Sequence, residues 1–319
     1  MLQYLIILLD DTSTSFCHYE CQKTDRQIIP LNDLKAAIRF AMMENLMIQF
    51  VYPDYVLPQE YLEVIELIDH SKIMPSTSPM NEEADVVVFN HWQEMNNYEF
   101  DDSTVYVLRI DKANLFAQEN VLKSYLGRMP RLNIVITDID LFTESDIKKY
   151  QALLTSFCKE MKHMYLCGKT IQLNLLTDRI MLTQMNNCNA GVENITLAPD
   201  GRFYICPAFY YSKEDRDTFC IGDLRDGCDI KAVKLFELSH APLCRSCDAY
   251  HCKRCVWLNR QTTFDVTTPS HEQCVVAHVE RNASRSLMLE MRKYGEFYPE
   301  QEICKINYTD PFDVRKEWN

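Results

Sequence analysis

The feature that most constrains this chain is one short run, Cys244-Arg-Ser-Cys247-Asp-Ala-Tyr-His-Cys252-Lys-Arg-Cys255. A Cys-x2-Cys pair lets two thiolates grip one soft metal through a tight turn. Two such pairs separated by four residues point strongly to metal ligation. A structural zinc site usually leaves a longer loop between its pairs. The close spacing suits ligands shared between two neighbouring centres, which calls for more thiolates elsewhere. Cys188, Cys206, Cys220, Cys228 and Cys274 are available. A four-thiolate zinc knuckle is the alternative reading of the same run.

The cysteines are unevenly spread. Ten of the 14 lie from Cys188 to Cys304, roughly twice an even share. Only Cys17, Cys21, Cys158 and Cys167 precede them. The shift in composition places a boundary near Met185–Cys188. The opening Met1-Leu-Gln-Tyr-Leu-Ile-Ile-Leu-Leu-Asp-Asp has neither the basic region nor the small-residue cleavage site of a secretory signal. No apolar run approaches the roughly 20 residues that a membrane-spanning helix needs. The expectation is a cytoplasmic protein with reduced thiols and no membrane partner, in which cysteines serve metals more than disulfides. The Asn-x-Ser/Thr triplets at Asn194, Asn282 and Asn307 are then chance matches. Among 319 residues, 47% are apolar, which argues against disorder. The net charge of -13 repels phosphate backbones, so nucleic acid is a poor partner. Seven glycines are too few for several Gly-rich phosphate loops.

Before the boundary, strands and helices alternate. Tyr4–Leu9 is a continuous apolar run, typical of a strand buried on both faces. Leu31, Leu34, Ile38, Ala41 and Met42 recur at helical spacing behind Asn32, read as an N-cap. Met47–Tyr52 reads as a strand and Pro58–Ile68 as a helix. Asp85–Phe89 and Val105–Ile110 are strands, the first followed by a loop. Lys112–Gly127 is helical, Asn133–Ile136 a strand, and Ile171–Leu176 a further strand. Thr143-Glu-Ser-Asp146 is a capping box, followed by Ile147, Tyr150, Leu154, Phe157 and Met161 on one face. Met42, Met43 and Met47 read as core. Repeated β-then-α with buried strands means a parallel sheet, either open or closed into a whole or partial barrel, with ligands at the C-terminal strand ends. Beyond the boundary, Ile195–Cys206 is a hairpin turning on Pro-Asp-Gly. Gly222 reads as a turn, and Val275, Val279, Ala283, Leu287 and Met291 suggest a last helix. Cys158 and Cys167 read as ordinary thiols and Cys304 as a tail residue without a partner pattern. His251 reads as a hydrogen-bond donor behind a ligand or a solvent-facing residue.

Cys188, Gly201-x4-Cys206, Cys244-x2-Cys247-x4-Cys252-x2-Cys255 and Cys274 together resemble the SPASM domain, the C-terminal module of radical SAM peptide maturases. Each of the two inner gaps is one residue shorter than in that family. The resemblance implies one or two auxiliary [4Fe–4S] clusters. By position, Cys244, Cys247, Cys252 and Cys274 would hold an outer cluster. Cys188, Cys206 and Cys255 would hold an inner one, with Cys220 the nearest candidate for its fourth ligand. The first part resembles the same superfamily in degenerate form. Radical SAM enzymes carry Cys-x3-Cys-x2-Cys after the first barrel strand. Here Ser13-Thr-Ser-Phe-Cys17-His-Tyr19-Glu20 keeps a thiol only at Cys17, and a frame on Cys17 and Cys21 is also incomplete. The family's Gly-Gly-Glu-Pro after the second strand is replaced by Tyr52-Pro53-Asp54-Tyr55, side chains that deny the close backbone approach Gly permits.

The whole pattern resembles the CXXX repeat peptide maturase group. That resemblance implies an α/β partial (β/α) barrel of radical SAM type over residues 1–186, a SPASM-like iron–sulfur module over 187–278, and a C-terminal helix and tail over 279–319. It also implies a Cys-rich precursor peptide as partner and a degenerate SAM site, with two readings open: an enzyme that still binds a cluster and SAM in an unusual way, or a catalytically dead homologue that presents the peptide or partners an active modification enzyme. No room for a separate leader-peptide-binding domain is expected before the first strand. The competing expectation is a zinc-stabilised, non-catalytic interaction protein.

Overall fold

The computed structural model describes residues 2–21 and 23–310. They fall into two compact units, Met1–Tyr98 with Cys188–Ala241, and Glu99–Asn187 with Pro242–Asn319. The tail of the segment 279–319 after residue 310 lies outside the described residues.

The chain opens in the first unit. Strand β1 (Tyr4–Leu8) is followed by α1 (Leu31–Met43), β2 (Met47–Val51), α2 (Gln59–Ile65), β3 (His70–Pro75) and β4 (Val86–Phe89). Each of these strands pairs in parallel with the next, the arrangement that strand–helix alternation dictates. Helix α1 starts directly after Pro30, not behind Asn32. Leu34, Ala37, Ile38 and Ala41 form its buried stripe. Met42, Met43 and Met47, expected in the core, are exposed instead, with Met43 83% exposed. They sit where α1 ends and β2 begins, past the last buried turn. Strand β3 has no counterpart in the sequence reading. Its first half, His-Ser-Lys, is polar and only half-buried, so it shows no apolar run.

The chain then builds part of the second unit. Strand β5 (Val105–Ile110) leads to α3 (Lys112–Ala117), α4 (Glu119–Leu126), β6 (Arg131–Ile136), α5 (Glu144–Leu166), β7 (Gln172–Leu173) and α6 (Asp178–Met181). Strands β5, β6 and β7 are parallel neighbours. The capping box is present: Thr143 Oγ1 accepts from Asp146 N at 3.3 Å, and Asp146 Oδ2 accepts from Thr143 N at 3.1 Å. Tyr150, Leu153, Leu154, Phe157 and Met161 of α5 are buried. Two local readings change. Gln118 divides the expected helix into α3 and α4, and Ile171–Leu176 is a strand over only two residues.

The chain returns to the first unit with β8 (Asn194–Leu197), β9 (Arg202–Tyr204), α7 (Pro207–Tyr211), β10 (Cys220–Asp223) and β11 (Gly227–Cys228). Strand β8 runs parallel to β1 and forms the expected antiparallel hairpin with β9. The hairpin turns through Gly201 at φ +77°, a left-handed conformation that suits glycine. The order in this unit is β11-β10-β9-β8-β1-β2-β3-β4. Gly222 lies inside β10 rather than in a turn, where a Cβ would meet the Gly227 carbonyl oxygen at 2.0 Å. The second unit is completed by α8 (Val256–Thr263) and α9 (His271–Met291). Helix α9 lies against α5, where Tyr150 donates to Glu280 Oε1 at 2.5 Å and Lys162 pairs with Glu290 at 3.0 Å.

Candidate metal centre

In the second unit the cysteine run folds as tight turns. Cys247 N donates to the Cys244 carbonyl at 3.1 Å, and Cys252 N to the Ala249 carbonyl at 2.8 Å. Cys274 lies in the first turn of α9, which Ser270 caps by accepting from Gln273 N. These turns put Cys244, Cys247, Cys252 and Cys274 around one cavity of about 330 Å³. Leu243, Ala249, Pro269, Ala277 and Ile306 make much of its wall apolar. The four residues that the SPASM resemblance groups at one centre thus line one cavity. Cys304, which showed no partner pattern, also lines this cavity.

Burial keeps these thiols protonated in the metal-free protein. It pushes Cys244 up to about 11 and Cys274 up to about 12, with neighbouring cysteines adding to both shifts. Cys252 is raised further by burial and by Cys244, Cys274 and Cys247. A metal that displaces the protons removes this penalty. Among the described residues, no three His, Cys, Asp or Glu side chains come together at the spacing of a single ion. Four thiolates on one zinc, each at about 2.3 Å, would lie roughly 3.8 Å apart.

Two buried arginines stand beside Cys247. Arg281, 0% exposed, donates from Nε to Asp248 Oδ1 at 2.6 Å and from Nη2 to Asp248 Oδ2 at 2.5 Å. Arg179, 3% exposed, reaches the same carboxylate at 3.5 Å and lies 4.3 Å from the Tyr250 ring centre. Two guanidinium cations therefore share one carboxylate, and Arg179 Nε has no hydrogen-bond partner. A buried cation without full compensation is costly. Both arginines favour the ionised form of Cys247, although burial dominates and leaves its thiol raised. His278, 6% exposed, places Nε2 at 3.5 Å from Cys247 Sγ while its Nδ1 has no partner. Burial and Arg281 push this imidazole down to about 4, so it is neutral at pH 7. Four thiols, a surplus of buried positive charge and an orphaned guanidinium nitrogen fit an anionic, thiolate-held group. His251 lies outside the cavity lining. It is buried, with Nε2 3.0 Å from Glu280 Oε2.

The remaining sequence-predicted cysteines are divided between the units. Cys188 is exposed ahead of β8, and its carbonyl accepts from Asn194 Nδ2. Cys206 caps α7. Cys220 faces Tyr204 across β9–β10, two residues before Cys206, and Cys228 ends β11. These belong to the first unit, whereas Cys255, the cap of α8, belongs to the second.

The loop after β1 is filled by its own groups. Ser13 is fully buried. Its Oγ donates to the Val51 carbonyl at 2.8 Å and accepts from Asp10 N at 3.0 Å. Asp10 accepts from Tyr55 OH at 2.9 Å and from Thr12 N at 2.8 Å. Cys21 Sγ donates to the Asp11 carbonyl at 3.1 Å, and burial raises its thiol pKa. Lys23 pairs with Asp11 at 2.9 Å and lies 3.8 Å above the Tyr210 ring. Cys17 is half-buried in this loop, and Glu20 is exposed.

No family model and no curated protein matches the chain. Solved structures do. The chain is similar to anSMEcpe with bound AdoMet, at a TM-score of 0.62 and 12% identity over 93% of this chain and 97% of that one. It is also similar to anSMEcpe with bound AdoMet and Cp18Cys peptide, at 0.60 and 14% over 92% and 99%. The fold is α/β, with a partial (β/α) barrel of the radical SAM type and a SPASM-like part. Among the described residues, no helix is long and apolar enough to cross a membrane.

Proposed function

We propose that this protein serves the maturation of a ribosomally made, Cys-rich peptide of the CXXX repeat type, as a radical SAM/SPASM-like partner of a modification enzyme. Residues 1–186 supply the barrel, 187–278 the cysteine module, and 279–319 a helix and tail. The observation that carries the reading is the shared cavity of Cys244, Cys247, Cys252 and Cys274 in a chain with this fold. These four would hold one [4Fe–4S] cluster. Cys188, Cys206 and Cys220 in the first unit and Cys255 in the second stand as further candidate thiolate ligands. A bound cluster supplies one-electron capacity. The chain's own part is to compensate charge through Arg179 and Arg281 and to exclude water with Leu243, Ala249, Pro269 and Ile306.

SAM cleavage is assigned to the partner enzyme. In the loop after β1, Cys17 alone supplies a thiol at a family position, and Ser13 and Asp10 are already engaged. The reading assigns the protein to the reducing cytoplasm, where thiols stay free to bind metal. Anaerobic purification with iron, sulfide and zinc analysis tests the reading. Iron with acid-labile sulfide is expected. Stoichiometric zinc without sulfide overturns it and leaves a zinc-stabilised interaction protein. Formation of 5′-deoxyadenosine from SAM under reductant overturns the division of labour.

A further inference from the structure

Helix α9 brings more than a cysteine to the cavity. Cys274, His278 and Arg281 are spaced i, i+4 and i+7, so they share one helical face, and all three line the cavity. We propose that His278 is a positioning residue for the metal centre, donating an Nε2–H···S hydrogen bond to the Cys247 sulfur, with Arg281 fixing that sulfur's neighbour Asp248. This rests on the iron–sulfur reading above.

Three observations carry the assignment. The Nε2–Sγ separation is 3.5 Å, within reach for a sulfur acceptor. A metal-bound thiolate has no proton to give, so the imidazole must be the donor. Nδ1 has no partner in its buried surroundings, so nothing competes to hold the ring's single proton on the other nitrogen. The loop carrying the acceptor is also held. Ala249 N donates to Cys247 Sγ at 3.4 Å, and Arg281 grips Asp248 through two nitrogens and the Cys304 carbonyl at 2.8 Å. Hydrogen bonds to ligand sulfur offset the extra negative charge of a reduced cluster and so raise its reduction potential. The Cys247 corner is thus held by Ala249 N directly and by Arg281 through Asp248.

The test is a redox titration of the anaerobically purified full chain, followed by EPR, for wild type, His278→Ala and His278→Gln. His278→Ala is expected to lower one midpoint by about tenfold in the reduction equilibrium, about 59 mV for one electron. Gln retains an N–H and is expected to restore most of that shift. An unchanged midpoint in an iron-loaded Ala variant overturns the proposal, as does a Gln variant that behaves like Ala. Since Ala could lose the metal, wild type supplies a second measurement. With 15N-histidine, pulsed EPR of the reduced protein should show a nitrogen coupling, and its absence overturns the proposal. A colourless, zinc-loaded wild type overturns the iron–sulfur reading as well. Iron-loaded protein without the shift or the coupling sinks only the role of His278.

Discussion

The loop after β1 and the cavity beside α9 each occupy a place where the resemblance implies a cluster, and they differ in what their polar groups are doing. In the loop, Ser13, Asp10, Asp11, Lys23 and Tyr55 bond to one another or to backbone. Beside the cavity, Nε of Arg179 is buried without a partner, and two arginines share one carboxylate. A buried donor without a partner costs about 1–3 kcal/mol. The unpartnered guanidinium nitrogen fits a cavity that receives another group, whereas the loop's groups bond among themselves. The contrast separates a site that has closed on itself from one that has kept its capacity.

The largest effect expected to test this contrast is at Cys247. Cys247→Ser should lose the iron and sulfide of the cavity and destabilise the second unit, because metal binding there is coupled to folding, worth on the order of 10 kcal/mol in small metal domains. Metal analysis with thermal unfolding checks it, and unchanged content and stability would break the comparison. Next comes Asp248→Ala. It leaves Arg281 and Arg179 buried without a counter-charge, at a cost of about 3 kcal/mol, the low end of the range because Asp248 is about one-third exposed. Denaturant titration should show it even before metal is added. Ser13→Ala in the loop should cost about 2 kcal/mol, by leaving Asp10 N and the Val51 carbonyl without their partner. It should leave iron content unchanged, and a fall in iron would mean that the loop also takes part in cluster binding.

How much of this was legible in the sequence follows the range of each interaction. Local signals held. The apolar runs gave β1, β2 and β5, the Thr143–Asp146 box opened α5, and Pro-Asp-Gly turned the β8–β9 hairpin. The family resemblance, not the spacing alone, grouped Cys244, Cys247, Cys252 and Cys274, which line one cavity. Strand β3 was hidden because its polar half is held by pairing with β2, not by its own periodicity. Met42, Met43 and Met47 were misread because composition cannot tell which turn of a helix is the last to be covered. Arg281 and Cys304 meet the cavity, and Arg179 meets its Asp248, from distant parts of the chain, with no spacing to announce them. His278 had a signal that went unread, its place four residues after Cys274 on one helix.

Each compact unit is assembled from two separated stretches of chain. During synthesis, Glu99–Asn187 therefore emerges long before the Pro242 segment that completes its unit, and the thiols at 244–274 arrive later still. A chain stalled before Pro242 would therefore present helices α3–α6 to the quality-control machinery without the segment meant to cover them.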